Sequence, residues 1–344
     1  MEILQNILLA PFTTIAVGGP AKYFSRARTA AELVDLFGWA RSKGENVFVL
    51  GGGSNVLVSD AGFDGLVVKI EISGINFDVV GDTVLVTAGA GVDWDGFVRE
   101  CVDRDLAGVE CLSGIPGNVG GTPVQNVGAY GQEVSETIVR VRCFDRAAGT
   151  IVELSNDECG FEYRKSIFNT SERERYVVLW VVFRLVPGGQ PKIVYKDLQQ
   201  RFSGGAPSLR EARETVIAIR REKSMVIDPT DPNSRSAGSF FKNPIVSTSV
   251  ADSIAEELKL DSIPQFAAGD DDVKIPAAWL IEQAGFRKGF ILGNAGISTN
   301  HSLAIINRGS ATSAEIVALK DLTQKSVLDK FGIRLQPEPI FIGF

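Results

Sequence analysis

Gly51, Gly52 and Gly53 follow a short apolar run at Val47–Leu50 and are followed by Ser54 and Asn55. A chain without side chains can bring its N–H groups close to a phosphate, and Ser54 and Asn55 add further donors. The same five residues also suit a tight turn, since a second apolar run follows at Val56–Val58. A longer segment, residues 111–133, reads CLSGIPGNVGGTPVQNVGAYGQE and holds six glycines, two prolines and almost no charge. That composition favours neither helix nor strand. A loop so long is unusual in a compact domain unless it serves a ligand, and its backbone groups need partners that a planar cofactor can supply. Ser113, Gly114, Pro116, Gly120 and Gly121 are its candidate cofactor contacts, alongside Gly51 to Asn55.

A third glycine pair points elsewhere. Gly89, Ala90 and Gly91 follow a strand-like run and precede a helix, but Trp94 stands where a dinucleotide fingerprint needs its third glycine. A tryptophan there obstructs close helix–strand packing, which disfavours a Rossmann nicotinamide site. The single histidine, His301, excludes a multi-histidine metal site and argues against a Ser-His-Asp triad. Between Asn300 and Ser302 it suits a structural role, so general acids and bases are expected among other residue types. Cys101, Cys111, Cys143 and Cys159 form no CxxC pair, so no metal is expected and free thiols in a reducing compartment are.

The elements that must carry these segments are readable in outline. Leu33, Leu36, Phe37 and Ala40 share one side of a helix over Ala30–Lys43, which Gly44 ends. Residues 66–70, 83–88, 138–144 and 177–185 have the pattern of strands, with one helix after Asp93. Pro187, Gly188, Gly189 and Pro191 give a boundary signal. Beyond it, residues 209–223, Ala277–Gln283 and Ser313–Phe331 have helical patterns, residues 302–307 form a strand, and residues 225–237 form a loop. An α+β fold is the expectation.

The chain has 344 residues, 44% of them hydrophobic and 22% charged, enough for two or three domains with a sizeable core. The net charge of -7 argues against nucleic acid as a partner. The first ten residues lack the basic start of a signal peptide, and no apolar stretch is long enough for a membrane span. A cytoplasmic enzyme that binds no membrane is expected.

Seven segments together resemble the UDP-N-acetylenolpyruvoylglucosamine reductases. They are TTIAVGGPA, LGGGSNVLV, GIPGNVGGTPVQNVGAYGQE, YRKSIF, GSFFKNP, LIEQAGFRKG and RLQPEPIFIG, in that order from one end to the other. The resemblance implies an FAD-binding domain of the vanillyl-alcohol-oxidase (PCMH) type and a smaller α+β substrate domain. The FAD region is expected at 1–205, as subdomains of about 1–70 and 71–205. The substrate domain is expected at 206–330, with residues 331–344 as a strand returning to the active site. FAD is expected to be non-covalent, NADPH to be the hydride donor, an enolpyruvyl UDP-sugar to be the substrate, and the protein to be a monomer. The segment Tyr195-Lys196-Asp197-Leu198 is similar to the tyrosine-bearing loop of the family's type I.

By the same resemblance, Arg164 of YRKS, Ser239 of GSFFKNP and Glu338 near the C-terminus carry the catalysis, with Ser239 as proton donor. Tyr195, Lys223, Asn243, Lys274 and Gln283 match substrate-pocket positions. Ala278 departs from a usual glycine and Ile340 from a frequent arginine, and residues 223–229 are longer than in some relatives. Taken without the family, the same residues allow plainer roles. Arg164 could pair with Asp157, Glu158 or Glu162, Ser239 could cap a turn, and Glu338 could be a solvated edge residue. A small-alcohol flavin oxidase of the same fold and a non-catalytic nucleotide-binding module are the other readings. The first is disfavoured because the glycine-rich segment holds no histidine to link a flavin.

Overall fold

Thr29 accepts a hydrogen bond from the Glu32 N–H and so starts helix α1 (Ala30–Lys43), which Gly44 stops in the left-handed conformation at φ 67°. Leu33, Leu36 and Ala40 form its buried stripe, as the spacing predicts. The computed structural model describes residues 1–202 and 205–344. They divide into two units, the first made of Met1–Ile7, Ala21–Gly53 and Phe63–Val226 and the second of Leu8–Pro20, Ser54–Gly62 and Ile227–Phe344. The peptide bond between Gly53 and Ser54 is therefore a crossing point from one unit to the other.

The first unit holds two sheets. Pro20–Ala27, Phe63–Ile70 and Val47–Leu50 lie parallel in one of them, with Leu4–Leu8 on the outer edge. The other is antiparallel, in the order Thr150–Ser155, Ile138–Asp145, Tyr176–Pro187, Thr83–Gly89 and Ile75–Val80. Helix α2 (Trp94–Asp103) begins where Asp93 accepts from the Gly96 N–H. Its Trp94 and Phe97 pack with Phe183 of the long strand, at ring separations from 4.8 to 5.9 Å. Trp94 is thus a core residue, and Gly89 and Gly91 serve a different purpose from a dinucleotide turn. A Cβ on Gly89 would stand 2.4 Å from the Ile72 carbonyl, and one on Gly91 would stand 2.6 Å from the Glu71 backbone. Two short helices follow, α3 (Lys196–Gln199) and the longer α4 (Leu209–Glu222). The first unit runs past residues 187–191 and through α4, because Val216 and Ile219 of α4 pack with Cys111 and Leu198.

The second unit is built on helices α5 (Thr248–Leu258), α6 (Ala277–Gln283) and α7 (Ser313–Phe331). Two small antiparallel sheets accompany them, one of Ile245–Ser247, Asp272–Lys274 and Phe266–Ala267, the other of Ile291–Leu292, Ala295–Ile297 and Ile305–Asn307. The strand expected over 302–307 forms only at its end, because Ser298 N–H bonds Ala304 and His301 C=O accepts from Ala304 N–H, closing residues 298–304 into a turn. Ile340–Ile342 pairs in parallel with Val56–Val58. The core joins Phe240, Phe241, Leu280, Leu319, Val327 and Leu335 with Ile15 and Leu57.

Asp60 fastens an early segment of this unit to α7. Its two carboxylate oxygens accept from the N–H groups of Ser313 and Ala314 at 2.8 and 2.9 Å, the open first turn of the helix. Partial burial pushes the carboxyl up, but these bonds outweigh it and its value lies below the ordinary 3.8. Folded below unfolded means that the stabilisation is present above pH about 4 and is lost as pH falls through the folded value. Asp60→Ala should cost about 0.5–2 kcal/mol in urea unfolding at neutral pH, with the gap between wild type and variant closing in acid. Equal midpoints at neutral pH would remove Asp60 from the stability of this unit.

Candidate active site

In the first unit the two glycine segments meet backbone to backbone. A Cβ on Gly52 would lie 2.5 Å from the Gly117 Cα, and one on Gly120 would lie 2.5 Å from the Ala90 Cβ. Main-chain bonds join the second segment to residues 90–94, from Trp94 N–H to Gly117 at 3.0 Å, Val119 N–H to Val92 at 2.9 Å and Gly120 N–H to Ala90 at 3.0 Å. The Trp94 indole N–H also donates to the Leu112 carbonyl at 3.0 Å. Lys69 holds the other side of the glycine run, its Nζ donating to the Gly51 carbonyl at 2.5 Å. Burial pulls its ammonium below the ordinary lysine value. Ser113 is buried and donates to Glu110 C=O at 2.6 Å, which makes its hydroxyl a brace within the segment.

Buried charge gathers beside this loop. Glu110, 1% exposed, accepts from Gly108 N–H at 2.7 Å, Lys192 N–H at 2.9 Å and Gln132 Nε2 at 3.2 Å, so it ties the glycine-rich segment to the chain that leads into Tyr195. Asp95 accepts from the Gly114 N–H at 2.6 Å and grips Arg213 of α4 through two bonds at 2.7 and 2.8 Å. Burial works against its ionisation, but Arg213 and Gly114 prevail and hold its carboxyl below the ordinary value. Arg220 lies about two turns along the same helix face. Its side chain donates to the Met225 carbonyl at 2.7 Å, while its Nε, fully buried, has no hydrogen-bond partner among the described residues. Burial pulls this guanidinium below its ordinary value, with the Tyr130 phenol acting in the other direction.

A buried cationic donor left unsatisfied costs about 1–3 kcal/mol or more, so such a group calls for an acceptor that the protein itself does not provide. Gly114, in the left-handed conformation at φ 71°, lies beside it, where a Cβ would sit 3.4 Å from the Arg220 Nε. An anionic or carbonyl-rich planar cofactor fits both observations.

Arg164 stands in this unit too. Its Nη2 donates to the Gly128 carbonyl at 2.8 Å and its guanidinium lies 5.4 Å from the Tyr163 ring. Its backbone is left-handed at φ 57°, as are Asn126 at 44° and Tyr130 at 51°. Three such non-glycine residues in and around one loop mark a site whose geometry is held under strain. Of the nearby carboxylates, Glu162 pairs with Lys165, and Glu158 accepts from Ser155. Tyr195 stacks edge-on against Tyr130 at 5.6 Å, and Lys223, at the C-terminal cap of α4, pairs with Asp197 at 3.3 Å.

The second unit assembles Ser239 and Glu338 around one buried residue. Phe240 donates its N–H to Leu303 at 2.8 Å and accepts from the Glu338 N–H at 2.9 Å. Ser239 is therefore set beside the turn that carries His301, and its Oγ lies 3.3 Å from His301 Nε2. Gly238 precedes it at φ 77°, a conformation that a side chain resists. Asn55 braces Glu338 from the other flank, its Nδ2 donating to the Glu338 carbonyl at 3.2 Å and its own carbonyl accepting from Ile340 N–H at 3.0 Å. Ile340 thus spends its backbone on the strand with Val56. Ser54, half-buried, begins the same crossing. Asn243 caps α6 through the Ala277 N–H at 2.9 Å. Lys274 lies between Ile245 and Phe266 in its sheet, and exposed Gln283 ends α6. Ala278 packs against the core of this unit.

Arg213, Arg220, Asp95 and Glu110 escaped notice in the sequence. A signal was there for two of them. Leu209, Ala212, Arg213, Val216, Ile219 and Arg220 are the buried face of α4, so two arginines fall on an apolar stripe at helical spacing. Asp95 and Glu110 gave no signal, because a buried acid is recognisable only from what surrounds it.

Residues 21–155 match the family model described as "FAD binding domain". Residues 229–342 match the one described as "UDP-N-acetylenolpyruvoylglucosamine reductase, C-terminal domain". The chain is similar to the UDP-N-acetylenolpyruvoylglucosamine reductase of Thermobifida fusca, at 46% identity covering 98% of both chains. It is similar at the same identity to that of Saccharopolyspora erythraea, covering 97% of this chain and 94% of the relative. Among solved structures, a UDP-N-acetylenolpyruvylglucosamine reductase from Thermus caldophilus superposes with a TM-score of 0.68 at 25% identity, over 99% of this chain and 98% of the other.

Arg220 supplies a test of the cofactor site. Arg220→Met keeps the length of the side chain and removes its charge and donors. Fluorescence titration of the apoprotein with FAD should show binding weakened by about 1.5–3 kcal/mol, roughly 10- to 150-fold, with the unfolding midpoint little changed. Unaltered FAD affinity would mean that the Arg220 Nε finds its acceptor elsewhere.

Proposed function

The chain belongs to the UDP-N-acetylenolpyruvoylglucosamine reductase family, and on that premise we propose that it reduces the enolpyruvyl ether of its UDP-sugar to UDP-N-acetylmuramate, with NADPH as hydride source. The observation that carries this reading is the convergence of Ser239 and Glu338 on the two sides of Phe240, inside the segments that resemble the family's catalytic motifs. When bound, FAD supplies the hydride transfer, taking a hydride from NADPH and giving it to the terminal carbon of the enol ether. The rest of the chemistry falls to this chain's residues.

Hydride addition moves negative charge onto the substrate carboxylate, which becomes an aci-type enolate. A guanidinium that meets it through two donors stabilises that charge more than it stabilises the ground state, and this is the role proposed for Arg164. Its anchoring to Gly128 and its left-handed backbone favour it, because the side chain has little freedom to lose. Ser239 then delivers a proton to the second carbon. Glu338 orients this machinery, held extended between Pro337 and Pro339. Tyr195, Lys223, Asn243, Lys274 and Gln283 are proposed to hold the UDP-sugar, with Lys223 giving up Asp197 for a phosphate.

No helix among the described residues is long and apolar enough to cross a membrane. We infer a cytoplasmic monomer acting on small molecules alone.

Ser239→Ala separates proton from hydride. Stopped-flow absorbance should show flavin reduction by NADPH near the wild-type rate, because that half-reaction puts no proton on carbon. Reoxidation by the enolpyruvyl substrate should slow by roughly 10²–10⁴-fold. Equal loss in both half-reactions would make Ser239 a residue that shapes the pocket and would end its assignment as proton donor.

A further inference from the structure

We propose that His301 is the proton partner of Ser239. In this relay the imidazolium Nε2–H passes to the serine oxygen as the hydroxyl proton passes to the substrate carbon. The inference rests on the reading of Ser239 as donor and adds the group that makes it a usable acid. A serine hydroxyl on its own is a poor one, because its alkoxide is strongly basic. A cation that can hand over a proton in the same step removes that obstacle.

The geometry singles out His301. It is the only histidine in the chain, and its Nε2 lies 3.3 Å from the Ser239 Oγ, within hydrogen-bond reach. Both residues are held by main-chain bonds. Ala304 N–H closes the turn onto the His301 carbonyl at 3.1 Å, and Phe240 N–H to Leu303 at 2.8 Å sets the two segments side by side. The ring is half-buried, so water can restore its proton between turnovers.

Glu282 of α6 accepts from Ser302, the next residue in the turn. Asp231 reaches the turn through Asn233, whose Oδ1 accepts from Thr299 N–H at 2.9 Å. Arg287 and Lys288 lie on the loop whose Gly289 bonds Ser298, and Glu338 lies across Phe240.

The step balances without a further reagent. The Nε2–H bond breaks as Oγ–H forms, and the original Oγ–H bond breaks as C–H forms at the enolate carbon. Ser239 ends neutral and unchanged, His301 ends as neutral imidazole, and solvent returns one proton to it.

The test uses the FAD-loaded enzyme, reduced beforehand and mixed with the enolpyruvyl UDP-sugar across about pH 5.5 to 9, a range that spans the ordinary imidazole value near 6.5. Wild-type reoxidation should fall as pH rises through the histidine titration, since the protonated ring is the active form. His301→Gln, which can still hydrogen-bond the hydroxyl, should be slower by about 10- to 100-fold at the low-pH end and should show no such fall. Added imidazole should restore part of its rate. A Gln variant with the wild-type rate and profile overturns the relay and leaves His301 a hydrogen-bonding support. A wild-type profile flat through this range overturns it without any variant. Ser239→Ala in parallel keeps the two claims apart. A fast Ser239→Ala enzyme defeats the donor assignment itself, whereas a slow one beside an unaffected His301→Gln defeats the relay alone.

Discussion

Gly52 and Gly117 bring two stretches of main chain within a distance that no side chain allows, and much of the first unit depends on that approach. Residues 111–133 place Leu112 and Val119 in the core of this unit. They are held as well by main-chain bonds to residues 90–94, and that stretch leads into α2. The dependence then runs outward. Trp94 enters the core with Phe97 and Phe183, which fixes Asp95 one residue later. Asp95 joins Gly114 to Arg213, and so α4 is locked to the glycine segment. On α4 the same face brings Arg220 beside Gly114, and its end places Lys223.

The glycine-rich segments, α1 with its cap, the long antiparallel strands and the helix α7 were legible because each rests on local chemistry: periodicity, a cap or missing side chains. Trp94 was also informative in advance, since its bulk argued against a dinucleotide turn before the core showed where the indole goes. What could not be read was anything that depends on residues far apart in the chain. Asn55 continues the glycine loop in sequence, and it also braces Glu338, which lies 283 residues away in sequence. The division of the chain is of the same kind. Residues 8–20 and 54–62 join the second unit because Asp60 caps α7 and Asn307 donates to the Ile15 and Ala16 carbonyls at 3.1 Å, pairings that no local pattern announces. His301 suits a structural role among its neighbours in sequence, and only the fold sets its ring 3.3 Å from the Ser239 Oγ.

The two units hold their proposed site residues differently, and the proposed chemistry gives a reason. In the first, Glu110, Arg213 and Arg220 are buried, and Asp95 is held in its ionised form by Arg213 and the Gly114 N–H. Fixed charge in a low-dielectric setting is what steady binding of a charged cofactor needs, since such groups must not exchange protons during turnover. In the second, Ser239, His301 and Glu338 are half-exposed on a frame of backbone bonds around buried Phe240. A proton donor must be refilled once per cycle, so full burial would strand it after one turnover. Half-exposure costs some electrostatic strength but keeps a path to water, and the rigid frame of Phe240 recovers the loss as fixed geometry, which is worth more to a proton transfer than a deeper field.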